Sequence, residues 1–327
     1  MYTLILITQG FVPIGLLLWQ GLAHSKSRLG WLLKTSLIAI YLVGIALAGL
    51  WSIFFPWWTP YLYGVAWSLL TLITCWQCRK QPLWPKRNAL SLLKVMVFGI
   101  VIGCLSVLML QTMSGYFPPA IEPVSLAFPL EGSNYFVLNG GNHSLMSSHM
   151  KTLDEKFRNY RGQSYGVNIV KLSQFGTRSA GLLPKDIEQY EIYGAPVYAP
   201  CPGSVVDSEK HLPDMVPPQP DRKHLLGNFV LLRCDSADIL LAHFRQDGVA
   251  VAVNDLVMTG QYLGDVGNSG NTNEPHLHIH AQSPGSEATP IDGDPLPMLF
   301  GDRYLVRNLR IEETSTFVNQ RSVGNVL

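Results

Sequence analysis

The first 114 residues carry long runs of apolar side chains, whereas the rest of the chain alternates short apolar runs with turn-forming residues. Four apolar stretches occupy approximately residues 2–23, 35–55, 59–78 and 95–114. Each has the length of about 20 residues that a helix needs to cross a bilayer. The pattern predicts an all-α transmembrane domain of four helices over residues 1–114.

The pattern changes after residue 114. The segment "GYFPPAIEPVSLAFPLEGS" is proline-rich and aperiodic, and it predicts a linker over residues 115–132. Short β-branched and aromatic runs follow, among them "YGVNIVKL", "GNFVLLRC" and "HLHIHAQ", separated by Gly, Pro, Asn and Asp. They predict a mainly β outer domain with an antiparallel sheet over residues 133–308, followed by a tail over 309–327.

Charge is distributed unequally between these two parts. Residues 1–115 contain eight Lys or Arg and no Asp or Glu, and the first acidic residue is Glu122. The bases flank the first and third predicted loops, while "FPWWTP" in the second loop has no charge. Basic loops remain in the cytoplasm, so the pattern predicts a multi-pass protein in the lipid bilayer with residues 115–327 on the outer side. The orientation in the membrane is sufficient to explain these basic residues, so no nucleic-acid partner is predicted.

Two of the five cysteines fall in the predicted outer domain. Cys201 and Cys234 lie at the edges of two predicted strands. An oxidising compartment permits a disulfide between them, and two buried free thiols are the alternative. We predict the disulfide, because the two strands are expected to be neighbours in the sheet.

Histidines recur at every second position in "GNSGNTNEPHLHIH". Along a strand, residues i, i+2 and i+4 share one face, so His276, His278 and His280 are expected to point the same way. Several imidazoles on one face can bind a metal and leave another free for acid–base work. The alternative is a merely polar strand face, or core histidines whose hydrogen bonds are satisfied.

The order "YGAPVYAPCPGSVV … GNFVLLR … LLAHF … NDLVMTGQYLGDVGNSGNTNEPHLHIH" resembles the LytM/lysostaphin family of zinc endopeptidases, which cut bacterial cell-wall peptides. The resemblance covers approximately residues 160–282. It implies a groove over an antiparallel sheet with one zinc ion, held by the His and Asp of an HxGxD-like segment and by the second His of an HxH. The first His of the HxH and a His on another strand serve catalysis.

The resemblance assigns roles residue by residue. His278 matches the zinc ligand of the HxH, His276 its catalytic partner, and His243 in "LLAHF" the second catalytic histidine. His280 matches no residue with a family role. The turn that leads into the HxH strand is matched by Gly264, Gly267, Ser269, Gly270 and Asn271.

The first metal segment departs from the family pattern. In "QSYGVNIV", Ser164 stands where the family has its ligand histidine, and Asn168 stands where it has aspartate. Ser is a poor zinc ligand, and Asn offers only a neutral amide oxygen. A histidine from the upstream "NGGNHSLMSSHMKTL" can replace the missing imidazole; we predict His149 rather than His143. The alternative is that both are solvated loop histidines.

Two functions are compatible with these residues. The resemblance implies a membrane-anchored zinc metalloendopeptidase that acts on peptidoglycan peptides, with His278, His149 and Asn168 as ligands of one weakly held zinc ion and His243 and His276 as catalytic residues. The alternative is a catalytically degenerate domain that binds wall peptides or regulates other hydrolases. In both cases the apolar spans and basic loops, together with the bacterial family that the sequence resembles, predict the bacterial cytoplasmic membrane, with the C-terminal domain on its periplasmic or extracellular side.

The predicted topology can be tested by cysteine labelling of intact cells with a membrane-impermeant maleimide. In a background in which Cys75, Cys78 and Cys104 are replaced by alanine, Ser133→Cys is expected to react and Ser27→Cys to remain unlabelled, because only residue 133 lies outside. Labelling at residue 27 but not at residue 133 would contradict the topology.

Overall fold

A computed structural model describes residues 2–86, 88–235, 237–286 and 291–314. The chain separates into two compact units, Met1–Ser114 and Gly115–Leu327. The first unit is helical, and the second consists mainly of β-strands.

In its described residues the helical unit contains four long helices: α1 (Tyr2–Leu22), α2 (Arg28–Ala48), α3 (Thr59–Cys78) and α4 (Ala89–Ser114). Helix α1 is continuous, with a π-helical turn at Ile7–Phe11. Of these helices, α1, α2 and α4 are long and apolar enough to cross a membrane. The 20-residue helix α3 is not among those candidates in the described part of the chain, so the fourth span stays a prediction.

A buried polar cluster joins the first three helices. The Gln20 amide on α1 donates to Thr35 on α2 at 2.9 Å and to Thr74 on α3 at 3.1 Å. The ammonium group of Lys34 donates to the carbonyl of Ala23 at 2.6 Å. That carbonyl follows the last turn of α1, where backbone oxygens lack an intrahelical partner. Lys34 therefore has a structural role, because its ammonium group caps the C-terminal end of α1.

In its described residues the second unit is built on an 11-stranded sheet and a small three-stranded sheet. The strands are β1 (Val124–Leu126), β2 (Ser133–Asn139), β3 (Val167–Lys171), β4 (Pro196–Tyr198), β5 (Gly203–Glu209), β6 (Asn228–Cys234), β7 (Ala237–Val249), β8 (Leu256–Val257), β9 (Tyr262–Val266), β10 (Leu277–Gln282), β11 (Pro295–Leu296), β12 (Met298–Phe300), β13 (Arg303–Tyr304) and β14 (Arg310–Glu313). Along its main path the large sheet has the order β14-β2-β3-β10-β7-β6-β5-β8; β11 pairs with β10, and β9 pairs with both β4 and β7.

The strand pairs of the large sheet in the described residues are antiparallel, in agreement with the predicted antiparallel outer domain. Its strand β10 has apolar and polar side chains in alternation. Leu277, Ile279 and Ala281 belong to the main hydrophobic core. The alternate positions carry His278 and His280 on the opposite face, as period-2 alternation requires. Short 3₁₀-helical segments at Ser148–Leu153 and Glu155–Tyr165 precede β3, and the second packs against β10.

The predicted linker and tail both contribute to the folded unit, which corrects their expected character. In the linker, Leu126 lies in β1, which pairs in parallel with β12. In the tail, Ile311 is fully buried in β14, opposite Tyr135 of β2. The strand in each segment is only three or four residues long, too short to show a periodic pattern, and tertiary pairing decides its structure. Residues 315–327 of the predicted tail lie outside the described residues.

A disulfide joins Cys201, just before β5, to Cys234, at the end of β6. Their Cα atoms are 6.1 Å apart, and 33 positions separate them in sequence. The strands β5 and β6 are antiparallel neighbours, so their pairing already brings the two ends of this loop close together, and the disulfide joins them covalently.

This bond is expected to survive in protein isolated from its native envelope. The paired variant Cys201→Ala/Cys234→Ala should lose about 3 to 4 kcal/mol of unfolding free energy, because a loop of this length gains freedom in the unfolded chain. Denaturant unfolding measures the loss, with Cys104→Ala as the control that removes a free cysteine. Two alkylatable thiols at positions 201 and 234 in the native protein, found by mass spectrometry, would refute the pairing.

Candidate functional site

Five histidine side chains gather beside β10. Ring centroids are 4.8 Å apart between His149 and His278, 5.2 Å between His278 and His280, and 4.8 Å between His243 and His276. The rings form two groups: the first consists of His149, His278 and His280, and the second of His243 and His276. The ring centroids of His243 and His278 are 6.0 Å apart, so the two groups are neighbours. The rings come from three places: the 3₁₀ turn Ser148–Leu153, strand β7, and strand β10 with His276 directly before it.

Asn168 is the centre of the first group. It lies on β3 directly opposite His278 of β10. Its side-chain oxygen Oδ1 is 3.0 Å from Nε2 of His149 and 2.8 Å from Nδ1 of His278. Two imidazole nitrogens and one amide oxygen therefore converge, and they belong to the three residues predicted as metal ligands.

Ser164 takes part in the support of His149 rather than in this convergence. Its buried hydroxyl donates to the carbonyl of Arg161 at 2.6 Å and lies 2.8 Å from Oγ1 of Thr152. Thr152 in turn donates to the carbonyl of His149 at 2.7 Å. The hydroxyl thus fixes the turn that carries His149. The other candidate, His143, accepts a local backbone N–H from Leu145 at 3.2 Å.

The converging atoms fit a zinc ion in type and position. Imidazole nitrogen and side-chain oxygen are ordinary zinc ligands, and atoms that share a tetrahedral zinc lie about 3.4 Å apart, slightly more than the separations from Asn168. The set lacks an anionic ligand. Accordingly, no cluster of three or more His, Cys, Asp or Glu side chains in the described part of the chain has the arrangement of a metal site. The third donor is a neutral amide, which predicts weak binding.

All of the clustered imidazoles are neutral at pH 7. Removal from water lowers the pKa of His149 to about 4 and that of His243 to about 3. Burial lowers the pKa of His276 as well, and it lowers the pKa of His280 to about 3. For His278, burial and then the nearby His149 ring hold the pKa well below its usual value. A neutral imidazole has a lone pair, so these rings can bind a cation or accept a proton.

The second group, His243 and His276, offers two nitrogen atoms that carry no proton. Nδ1 of His243 lies 2.8 Å from the carbonyl of Ser269, and Nδ1 of His276 lies 2.8 Å from the carbonyl of Glu274. A carbonyl only accepts, so each neutral ring carries its proton on Nδ1 and donates it there. The Nε2 atom of each ring keeps its lone pair.

A β-bulge places His243. Strand β6 pairs Asn228 with Phe244 and then Phe229 with Ala242, so His243 is the extra residue in β7. Its backbone has φ of 68°, in the left-handed region that a non-glycine residue rarely adopts. Bulges of this kind redirect a side chain next to functional sites.

The turn predicted from the family pattern has a structural role here. The Ser269 hydroxyl donates to the carbonyl of Phe244 at 2.6 Å and accepts the N–H of Asn228 at 2.8 Å, across the bulge. Gly270 has φ of 83° and packs against the backbone of Gly227, which leaves no room for a side chain. These residues shape the loop in which the carbonyl of Ser269 accepts the hydrogen bond from Nδ1–H of His243.

A buried ion pair that sequence reasoning missed anchors the loop before His276. Arg178 donates to both carboxylate oxygens of Glu274, from Nε at 2.7 Å and from Nη2 at 2.5 Å. Both side chains are almost fully buried. The backbone carbonyl of Glu274 then accepts from Thr272 and His276. The partners are 96 positions apart, so no local pattern in the sequence indicates the pair.

Residues 186–291 match the model of peptidase family M23. This segment is an M23 peptidase domain of the LytM/lysostaphin type, which confirms the resemblance predicted from the sequence. The match includes His243, His276 and His278, whereas His149 and Asn168 lie before it. No curated protein matches the chain.

Several solved structures are similar to part of this chain. The catalytic domain of lysostaphin from Staphylococcus simulans is 22% identical, with a TM-score of 0.25, over 38% of this chain and 71% of that one. A zinc-containing peptidase from Vibrio cholerae is 18% identical, with a TM-score of 0.22, over 45% of this chain and 48% of that one. A SpoIIIAH and SpoIIQ complex is 17% identical, with a TM-score of 0.31, over 52% of this chain and 95% of that one. At these scores, no conclusion about function rests on them.

The Arg178–Glu274 pair yields a stability prediction. Arg178→Met should cost about 3 to 5 kcal/mol, because it leaves a buried carboxylate without its partner. The double variant Arg178→Met/Glu274→Leu should recover part of that loss, since no unpaired charge remains. Chemical unfolding of the detergent-solubilised full chain measures both.

The matched control is Lys156→Met, which breaks an exposed pair with Asp154 and should change the unfolding free energy by less than about 1 kcal/mol. If Arg178→Met is as mild as this control, the buried pair does not anchor the loop.

Proposed function

We propose that this protein is a membrane-anchored zinc metalloendopeptidase that acts on the peptides of the bacterial cell wall. The observation that supports it most strongly is the convergence of His149, Asn168 and His278 next to His243 and His276, whose Nε2 atoms are free to accept a proton. An M23 domain over residues 186–291 agrees with a hydrolase that acts on peptide bonds.

In this proposal His149, Asn168 and His278 hold one zinc ion. When bound, zinc supplies Lewis acidity, which polarises the carbonyl of the scissile peptide bond. Neutral imidazoles are the state that binds a metal, and desolvation keeps His149 and His278 neutral. Asn168 adds no negative charge to offset the cation, so affinity is weaker than at a site with a carboxylate.

His243 and His276 carry the proton transfers. Each ring is fixed by a hydrogen bond from Nδ1 to a backbone carbonyl, so its Nε2 atom keeps one direction. Such an oriented base accepts a proton from the attacking group, and the protonated ring can then donate to the leaving amine or stabilise a developing oxyanion. We expect an extended peptide substrate, containing glycine or D-amino acids, to lie across the sheet at these nitrogens.

The helical unit is proposed as a four-span anchor. In addition to the three candidate spans, α3 presents an apolar surface that water would disfavour and lipid would accept. Its apolar side chains that are more than half exposed are Leu62, Val65, Leu69, Leu72, Ile73 and Trp76. Four spans with cytoplasmic basic loops put the M23 domain outside the cytoplasmic membrane, where the cell wall lies.

Asn168 favours a second candidate function. A neutral amide that bonds two imidazoles is stable without any cation, so the same cluster suits a domain that binds wall peptides without cleaving them, or that regulates other hydrolases. The two candidates differ in whether the native chain binds zinc.

Restoring a carboxylate separates these candidates. Asn168→Asp in the full-length protein should tighten zinc binding at least about tenfold, because an anion beside a dication contributes several kcal/mol even at a high effective dielectric. Turnover of wall peptides should be retained or rise. Asn254→Asp, on an exposed loop, adds the same charge elsewhere and is the control. Zinc affinity is measured by competition with a chelator.

Three alanine variants assign the individual roles. His278→Ala should abolish zinc binding and turnover, and His276→Ala should abolish turnover while zinc remains bound. His149→Ala should lose zinc only if this residue supplies the imidazole that Ser164 cannot. Suppose that the native chain and Asn168→Asp both bind no zinc at micromolar concentrations but still bind cell-wall fragments in a pull-down. The enzyme proposal then fails and the binding function stands.

A further inference from the structure

His280 is a buried polar residue that the proposed function leaves without a role. It is completely buried on the same face of β10 as His278. Its Nδ1 atom lies 2.9 Å from Nε2 of His278. A neutral side chain of this kind costs free energy in a protein interior unless it is hydrogen-bonded, and an apolar residue would fill the position without that cost.

The contact with His280 determines what His278 can do at its other nitrogen. A neutral imidazole carries a single proton, on either Nδ1 or Nε2. Nδ1 of His278 lies 2.8 Å from the Asn168 oxygen, which only accepts, so without a cation this nitrogen carries the proton and Nε2 accepts from Nδ1 of His280. Nδ1 can bind a cation only in the other tautomer, which carries the proton on Nε2. In that tautomer the buried Nε2–H needs an acceptor, and Nδ1 of His280 is at the required distance.

We propose that His280 is a positioning residue, which accepts the Nε2–H of His278 in the tautomer that binds a cation and so keeps Nδ1 of His278 directed towards Asn168. Ligand histidines generally donate their second N–H to a carboxylate, a carbonyl or water. Here an imidazole two residues further along the strand takes that place. The role follows from period-2 spacing, because the strand itself aligns positions 278 and 280.

This inference rests on the proposed zinc site and is tested by zinc binding to the full-length protein, not by activity. His280→Phe keeps the ring volume and removes the acceptor. His280→Asn loses volume but keeps an oxygen acceptor two bonds beyond Cβ, where the Nδ1 atom of histidine stands. His280→Phe should weaken zinc affinity about 10- to 100-fold, the usual effect of losing such a partner, and His280→Asn should stay within about threefold of the native value.

A packing role predicts the reverse order, because phenylalanine fills the buried space and asparagine leaves a cavity. Equal affinities in the native protein and both variants, or a larger loss in His280→Asn, would overturn the positioning role while the zinc site itself stands. If the native chain binds no zinc, the proposed function fails, and the role of His280 falls with it. Should His280→Phe not fold, His280→Leu removes the acceptor with a smaller side chain and is read in the same way.

Discussion

The antiparallel pairing of β10 with β3 on one side and β7 on the other is the constraint on which the site depends. It sets His278 opposite Asn168 and opposite Ala242, the residue before the bulge. A shift of one residue in either register would turn the imidazoles of β10 into the hydrophobic core and Leu277 towards the site. Core packing of the alternate residues therefore fixes the positions of the polar ones.

Around this frame the clustered histidines have hydrogen-bond partners of two kinds, backbone carbonyls and other side chains. Backbone carbonyls accept from His243 and His276, whereas Asn168 and His280 face the two nitrogens of His278. Because the whole cluster is neutral, it can be buried without a counter-ion, and burial in turn keeps it neutral. An aspartate at position 168 would strengthen metal binding but would leave an unpaired charge in the empty site, which a low-dielectric interior disfavours.

The parts of the fold that are local in sequence could be predicted from it. The long apolar runs became helices, and the period-2 runs around His243 and His278 became strands of the sheet. The β1 and β14 strands could not be predicted, because three or four residues with one apolar side chain in the core have no detectable period. The Arg178–Glu274 pair and the support of His149 by Thr152 and Ser164 arise from folding that brings separate segments together, and they leave no signature in either segment alone.

The central claim is that His149, Asn168 and His278 form one metal centre. X-ray absorption at the zinc edge, recorded on the full-length protein, tests it most directly. We expect one zinc per chain with nitrogen and oxygen ligands at about 2.0 to 2.2 Å and the outer-shell signal of two imidazoles, and we expect His149→Ala to contain no zinc. Absence of zinc from the native protein, or zinc with an unchanged two-imidazole signal in His149→Ala, would contradict the account.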